Sequence, residues 1–246
     1  MKKWSGKKYL LAAAAAVMLI AGMEVFRRPT PAAQTILSFR TPEYQLILDA
    51  GHGGEDGGAV SRSGVPESEI NLSIVLKLDQ MLGFYGVAPV LVRDTDVSIY
   101  DPGCETLRQK KVSDLHNRVA LVEATPNAVV LSIHQNTFPN AAYHGAQVFY
   151  REEGESRTLG LAIQEALRQG ADPGNRRTPA KIPSSVYLFQ HITCPAVLVE
   201  CGFLSNPEEE AKLRDGGYQN KLAACLASVW LKNWTAEGSQ GGKTVV

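Results

Sequence analysis

Residues 44–54 read Tyr44-Gln-Leu-Ile-Leu-Asp49-Ala-Gly51-His52-Gly-Gly54. A short β-prone run gives way at once to a polar, glycine-rich turn, which reads as a strand over residues 44–48 that ends in a loop carrying a histidine. Working outward, Ile70, Ile74, Leu78 and Leu82 recur every four residues and predict a helix over 69–82, ended by Gly83 and Gly86. Further strands are expected at 87–92, 128–133, 146–150 and 196–199, and further helices at 113–123, 156–167 and 218–234. Ser205-Asn206-Pro207-Glu208 has the form of a helix start, a cap residue followed by proline and an acid. Strands alternating with helices predict an α/β fold: a single domain with a mostly parallel twisted sheet and helices on both faces.

In such sheets functional groups gather past the carboxyl ends of the strands. Three polar signals sit there: Asp49 to Gly54 after the first strand, His134-Gln135-Asn136 after the third, and Glu200 after the fifth. Each has a plain structural reading. The glycine loop around His52 resembles a phosphate loop only superficially, since no Gly-Lys-Ser/Thr follows it. His134 alone reads as a strand-end histidine bound to backbone, and Glu200 alone as half of an ion pair. Glu67 and Glu69 read as solvated acids at a helix N-terminus. Taken together, two strand-end histidines and nearby carboxylates change the balance. Zinc accepts imidazole nitrogen and carboxylate oxygen, and catalytic zinc sites use three protein ligands with one open position. His52 and His134 are the first two candidates, and either Glu67 or Glu69 supplies the third. A charged Glu200 after four apolar residues needs a partner, and a water near the metal is one. Asp49 and Asn136 are read either as orienting the imidazoles or as strand-end caps. His116, His144 and His191 read as surface or structural histidines.

Four segments carry a resemblance: Leu46 to Gly54, Gly64-Val-Pro-Glu67-Ser-Glu-Ile-Asn71-Leu, Leu131-Ser-Ile-His134-Gln-Asn136, and Val197-Leu-Val-Glu200-Cys-Gly-Phe-Leu-Ser-Asn206. With Arg93-Asp94 and Asn117-Arg118, they resemble the zinc N-acetylmuramoyl-L-alanine amidases over roughly residues 44–234. The compact layout resembles members that act on the spore cortex. The resemblance implies hydrolysis of the amide between N-acetylmuramic acid and L-alanine in peptidoglycan. It implies zinc held by His52, Glu67 and His134, with Glu200 as the catalytic carboxylate. Ser68-Glu69 stands where the family has Lys-Asp, so Glu69 stays beside Glu67 as a rival ligand. Two other readings remain: a peptidoglycan-binding module without turnover, and a zinc hydrolase of another amide, such as a deacetylase.

Charge and composition bound the rest. The chain has 25 basic and 25 acidic residues, but residues 1–28 hold six of the basic ones and a single acid, leaving a net −5 beyond them. A mildly acidic domain without a basic stripe argues against nucleic acid as partner. Lys2, Lys3, Lys7 and Lys8 precede an apolar run of about 15 residues, the pattern of a signal peptide or signal anchor over residues 1–26. This predicts an exported, extracytoplasmic protein, attached to the membrane if the segment is uncleaved. Residues 27–43 read as a proline-containing linker, 44–234 as the catalytic domain and 235–246 as a flexible tail, in a monomer that acts on peptidoglycan. Cys104, Cys194, Cys201 and Cys225 have no metal-site spacing, and two or more read as small buried hydrophobes.

Overall fold

The computed structural model describes residues 44–233. β1 (Gln45–Ala50) is buried at every position after Gln45. Its Leu-Ile-Leu run therefore finds apolar neighbours on both faces, as a central parallel strand requires. The remaining elements are α1 (Glu67–Phe84), β2 (Val90–Leu91), α2 (Leu107–Glu123), β3 (Ala128–Asn136), β4 (Gln147–Tyr150), α3 (Glu155–Gly170), β5 (Ala180–Lys181), α4 (Tyr187–His191), β6 (Ala196–Phe203), α5 (Pro207–Arg214) and α6 (Gly216–Asn233).

The six strands lie in the order β2-β1-β3-β6-β4-β5. β2, β1, β3 and β6 are parallel, and β4 reverses direction against β6. The pleat divides the core in two. Leu46, Leu48, Val129, Leu131, Ile133, Val197 and Val199 face the layer of α1, α3 and α6. Ile47, Ala128, Val130, Ala196 and Leu198 face α2 and α4. The α/β fold with helices on both faces is thus as the sequence predicts.

Several boundaries differ. α2 begins at Leu107 rather than 113, because Thr106 and Gln109 form a reciprocal capping box. β2 is reduced to the two residues that pair with Ile47 and Leu48. β3 and β6 run past residues 133 and 199, to Asn136 and Phe203. Asn206 caps α5 as its sequence suggests, accepting from Glu208 N at 2.9 Å and Glu209 N at 3.2 Å. The four cysteines are free thiols, with Cys201 and Cys225 in the core. Among the described residues no helix is long and apolar enough to cross a membrane. The signal or anchor, the linker and the tail lie outside the described residues.

Candidate metal centre

The pleat that buries Ala128 and Val130 under α2 and α4 continues along β3 to Ser132 and His134. The same face carries Ile47 then Asp49 on β1, and Leu198 then Glu200 on β6. One face of one sheet thus turns from apolar to polar toward its carboxyl end. Because β6 extends to Phe203, Glu200 lies within the strand, where it is the register partner of His134. Paired residues on neighbouring strands sit about 4.8 Å apart and point the same way. The ladder shifts register between His134 and Asn136, a bulge at the site itself.

His52 follows β1 in the left-handed region, at φ 62. Such backbone needs external restraint, and two buried arginines supply it. Arg93 donates from Nε to Ala50 O at 2.9 Å and from Nη2 to Gly51 O at 3.1 Å and Ser68 O at 2.8 Å. Arg118 donates to His52 O at 2.8 Å and Ala50 O at 3.2 Å, while pairing with Asp49 and Asp114. Gly51 lies under the His134 ring so closely that a Cβ there would sit 2.1 Å from Cε1. At Gly58, φ +69, a Cβ would meet Glu67 Oε2 and the His52 ring at 2.7 Å. Gly51 and Gly58 are glycines because the two rings and the carboxylate press on their backbone.

Glu67 opens α1 on the opposite face of the sheet and reaches over the strand ends. Its Oε1 lies 2.9 Å from His134 Nδ1 and accepts from Gln135 N at 3.1 Å and Asn71 Nδ2 at 3.3 Å. Its Oε2 accepts from Ala59 N at 2.9 Å and lies 3.5 Å from His52 Nε2. One ligating atom from each of His52, Glu67 and His134 falls within 4.8 Å of the others. A nitrogen–oxygen–nitrogen set this tight is one that can hold a divalent metal ion. Glu69, the rival, is exposed on the first turn of α1 and outside the cluster.

Electrostatics separate the two glutamates. Burial alone would raise Glu67, but the His134 hydrogen bond, both imidazoles and Ala59 N–H bring it down to about 2. Burial raises Glu200 to about 7, with the neighbouring Glu67 charge adding to it and His134 opposing. Glu200 Oε2 is sealed from solvent with no hydrogen-bond partner among the described residues, although the residue as a whole is part-exposed. One carboxylate is held ionised as a ligand must be, and the other is left with spare proton affinity.

Of the two supporting residues, Asp49 departs from both readings given it and Asn136 follows the strand-end one. Asp49 does not reach an imidazole: it takes Ser132 Oγ at 2.6 Å and the Arg118 guanidinium, and so acts on the loop through Arg118. Asn136 accepts Leu204 N through its carbonyl at 2.8 Å, a strand-end role. The partner of His52 is Asp56, with Oδ2 3.0 Å from Nδ1, which sequence reading missed. Its signal was an acid four residues past the histidine, in a loop whose glycines leave few other side chains to meet the ring. His116, His144 and His191 are exposed.

Residues 46–229 match the family described as N-acetylmuramoyl-L-alanine amidase. The germination-specific N-acetylmuramoyl-L-alanine amidase of Bacillus subtilis is 33% identical over 78% of this chain and 81% of that one. The CwlD amidase of Clostridioides difficile, solved in complex with the GerS lipoprotein, is 38% identical with a TM-score of 0.73, covering 77% of this chain and 97% of that one. A second amidase structure, from Clostridium difficile 630, is 26% identical with a TM-score of 0.67, covering 82% and 98%. A match over most of the described residues, on a chain whose strand ends gather two histidines and a carboxylate, has one reading: the chain belongs to the N-acetylmuramoyl-L-alanine amidase family.

Proposed function

We propose that this chain carries out the family reaction, hydrolysis of the amide between N-acetylmuramic acid and L-alanine in peptidoglycan, with zinc held by His52, Glu67 and His134 and with Glu200 as the proton carrier. The supporting observation is the 4.8 Å cluster of three ligating atoms beside a carboxylate in register with one of them. Two imidazoles and one carboxylate without thiolate are the donor set of hydrolytic zinc. When bound, zinc supplies Lewis acidity, which polarises a carbonyl and makes water more acidic.

The chain's own groups do the rest. Ala59 N–H, Gln135 N–H and Asn71 hold the Glu67 carboxylate ionised and aimed between the histidines. Asp56 fixes the His52 ring. Glu200 takes a proton from the attacking water onto its carboxylate and returns it to the alanine nitrogen as the C–N bond breaks. Its proton affinity, raised to about 7, suits both halves of that transfer. Glu69 is set aside as a ligand on its exposure.

The family's substrate lies outside the cytoplasmic membrane. Residues 1–26 are therefore read as a signal peptide or anchor, 27–43 as a linker that lets a monomeric catalytic domain (44–234) reach the wall, and 235–246 as a tail. Its B. subtilis relative is named as germination-specific, which makes the spore cortex the first wall layer to try. Mass spectrometry of muropeptides digested with and without chelator tests the core of this reading. New N-terminal alanine that appears only in the unchelated digest is the expected result, and release of acetate instead would reject it.

A further inference from the structure

Glu200 has a second register partner, Gln147 on β4. Val148 beside it enters the core under α3, so Gln147 shares the face that carries Glu200 and His134. Gln147 Oε1 accepts from Arg177 Nη1 at 2.5 Å, which puts the guanidinium one side chain beyond Glu200.

Arg177 is held in place. Its Nε donates to His144 O at 3.0 Å, and its Cζ stacks 4.5 Å from the Phe203 ring centroid and 5.8 Å from that of Tyr143. Its backbone N donates to the buried Asn175 Oδ1 at 2.9 Å, and Asn175 in turn donates to Ala146 O at 2.8 Å. Among the described residues, no carboxylate pairs with Arg177 and Nη2 has no acceptor. It opens on a cavity of about 470 Å³ shared with Tyr143, His144 and Arg176. A second cavity of about 300 Å³, lined by His52 and His134 themselves, also holds cations, but those are neutralised. Lys111 pairs with Asp56, and Arg118 with Asp49 and Asp114.

We propose that Arg177 binds a carboxylate of the peptide stem and so selects which stems are cut. This rests on the amidase reading above. His134 to Gln147 spans two strand spacings, about 10 Å. An extended peptide advances about 3.3–3.6 Å per residue. A carboxylate two or three residues beyond the scissile amide therefore reaches Nη2, with the stem lying across Glu200 and Gln147. A planar guanidinium backed by aromatic rings is suited to a carboxylate. Among the described residues, Arg177 offers such a stem a cation that no carboxylate already pairs.

The test uses the zinc-loaded chain and soluble muropeptides in which each stem carboxylate is amidated in turn. For one position, amidation raises the parent's KM by about 10- to 100-fold, the range of one charge-assisted hydrogen bond, while kcat stays within about twofold. Arg177→Gln shows the raised KM already on the free acid and does not respond to that amidation; Arg177→Lys recovers part of the difference. Equal cutting of all forms by the parent, or equal loss on all of them in Arg177→Gln, overturns the proposal. Should Arg177→Gln melt too low to assay, the parent's response to amidation decides alone. Failure of the parent to cut any muropeptide rejects the amidase reading instead. Calorimetric titration with the free stem peptide then still reads the Arg177 site: binding abolished by one amidation upholds it, and binding indifferent to all of them overturns it.

Discussion

His134 and Glu200 are register partners on adjacent parallel strands, and the ladder slips immediately beyond them. The pairing holds a prospective ligand and a prospective proton carrier side by side on a rigid sheet. Beyond the shift the two strands stay paired, at Asn136 and Phe203, so both residues sit inside the sheet rather than at a frayed end. Catalytic groups on strands keep their spacing better than groups on loops.

Glu200→Gln preserves the shape of the side chain and removes its basicity. The variant should keep its full complement of metal and cut muropeptides about 100- to 10,000-fold more slowly. Metal content by elemental analysis and release of N-terminal alanine together check this. A near-parent rate with full metal would remove Glu200 from the mechanism.

His52→Ala should lose the metal outright. Asp56→Ala, which leaves the ring free to turn, should weaken binding about 10- to 100-fold. Competition with a chelator of known affinity measures both. Parent-like affinity in Asp56→Ala would mean that the 3.0 Å contact with Nδ1 does not set the ring.

The glycines give a paired prediction. A methyl at Gly51 would sit 2.1 Å from the His134 ring, whereas one at Gly83 meets nothing within 4 Å. Gly51→Ala should abolish activity by displacing His134. Gly83→Ala, inside α1, should leave activity unchanged and stabilise the protein by about 0.5–1 kcal/mol. Chemical denaturation and initial rates on the two variants separate the cases.

Asp49 makes the acid stability of the fold specific. Burial would raise its carboxyl, but Arg118 foremost, then His134 and Ser132, hold it below its ordinary 3.8. A carboxylate lowered in the folded state contributes stability above 3.8 and loses it as pH falls below that value. Asp49→Asn, which leaves Arg118 with Asp114 alone, should cost about 3–5 kcal/mol at pH 7. The difference from the parent should shrink as pH falls below 3.8. Denaturation of the chelated proteins at pH 7 and pH 3 measures both terms, and an equal gap at the two pH values would show that the fold leaves the Asp49 carboxyl at its ordinary 3.8.

Residue type and periodicity were legible before any contact was known. Alternating apolar runs and four-residue spacing set an α/β sheet covered on two faces, and the polar residues at the strand ends marked where chemistry gathers. Local caps were also legible: Asn206 behaves as its sequence suggests, and the Thr106–Gln109 box was there to be read although the expected start of α2 overlooked it. Which of Glu67 and Glu69 lies beside the two histidines was not legible in the sequence, because it depends on how α1 docks over the strand ends: two residues apart on a helix, one is buried in the cluster and the other faces solvent. Folding alone brought Asp56 to His52, turned Asp49 toward Arg118, aligned His134, Glu200 and Gln147 across three strands, and set Arg177 against Gln147. Each of these is a distance between side chains set by register and packing, and register belongs to the assembled sheet rather than to any one strand.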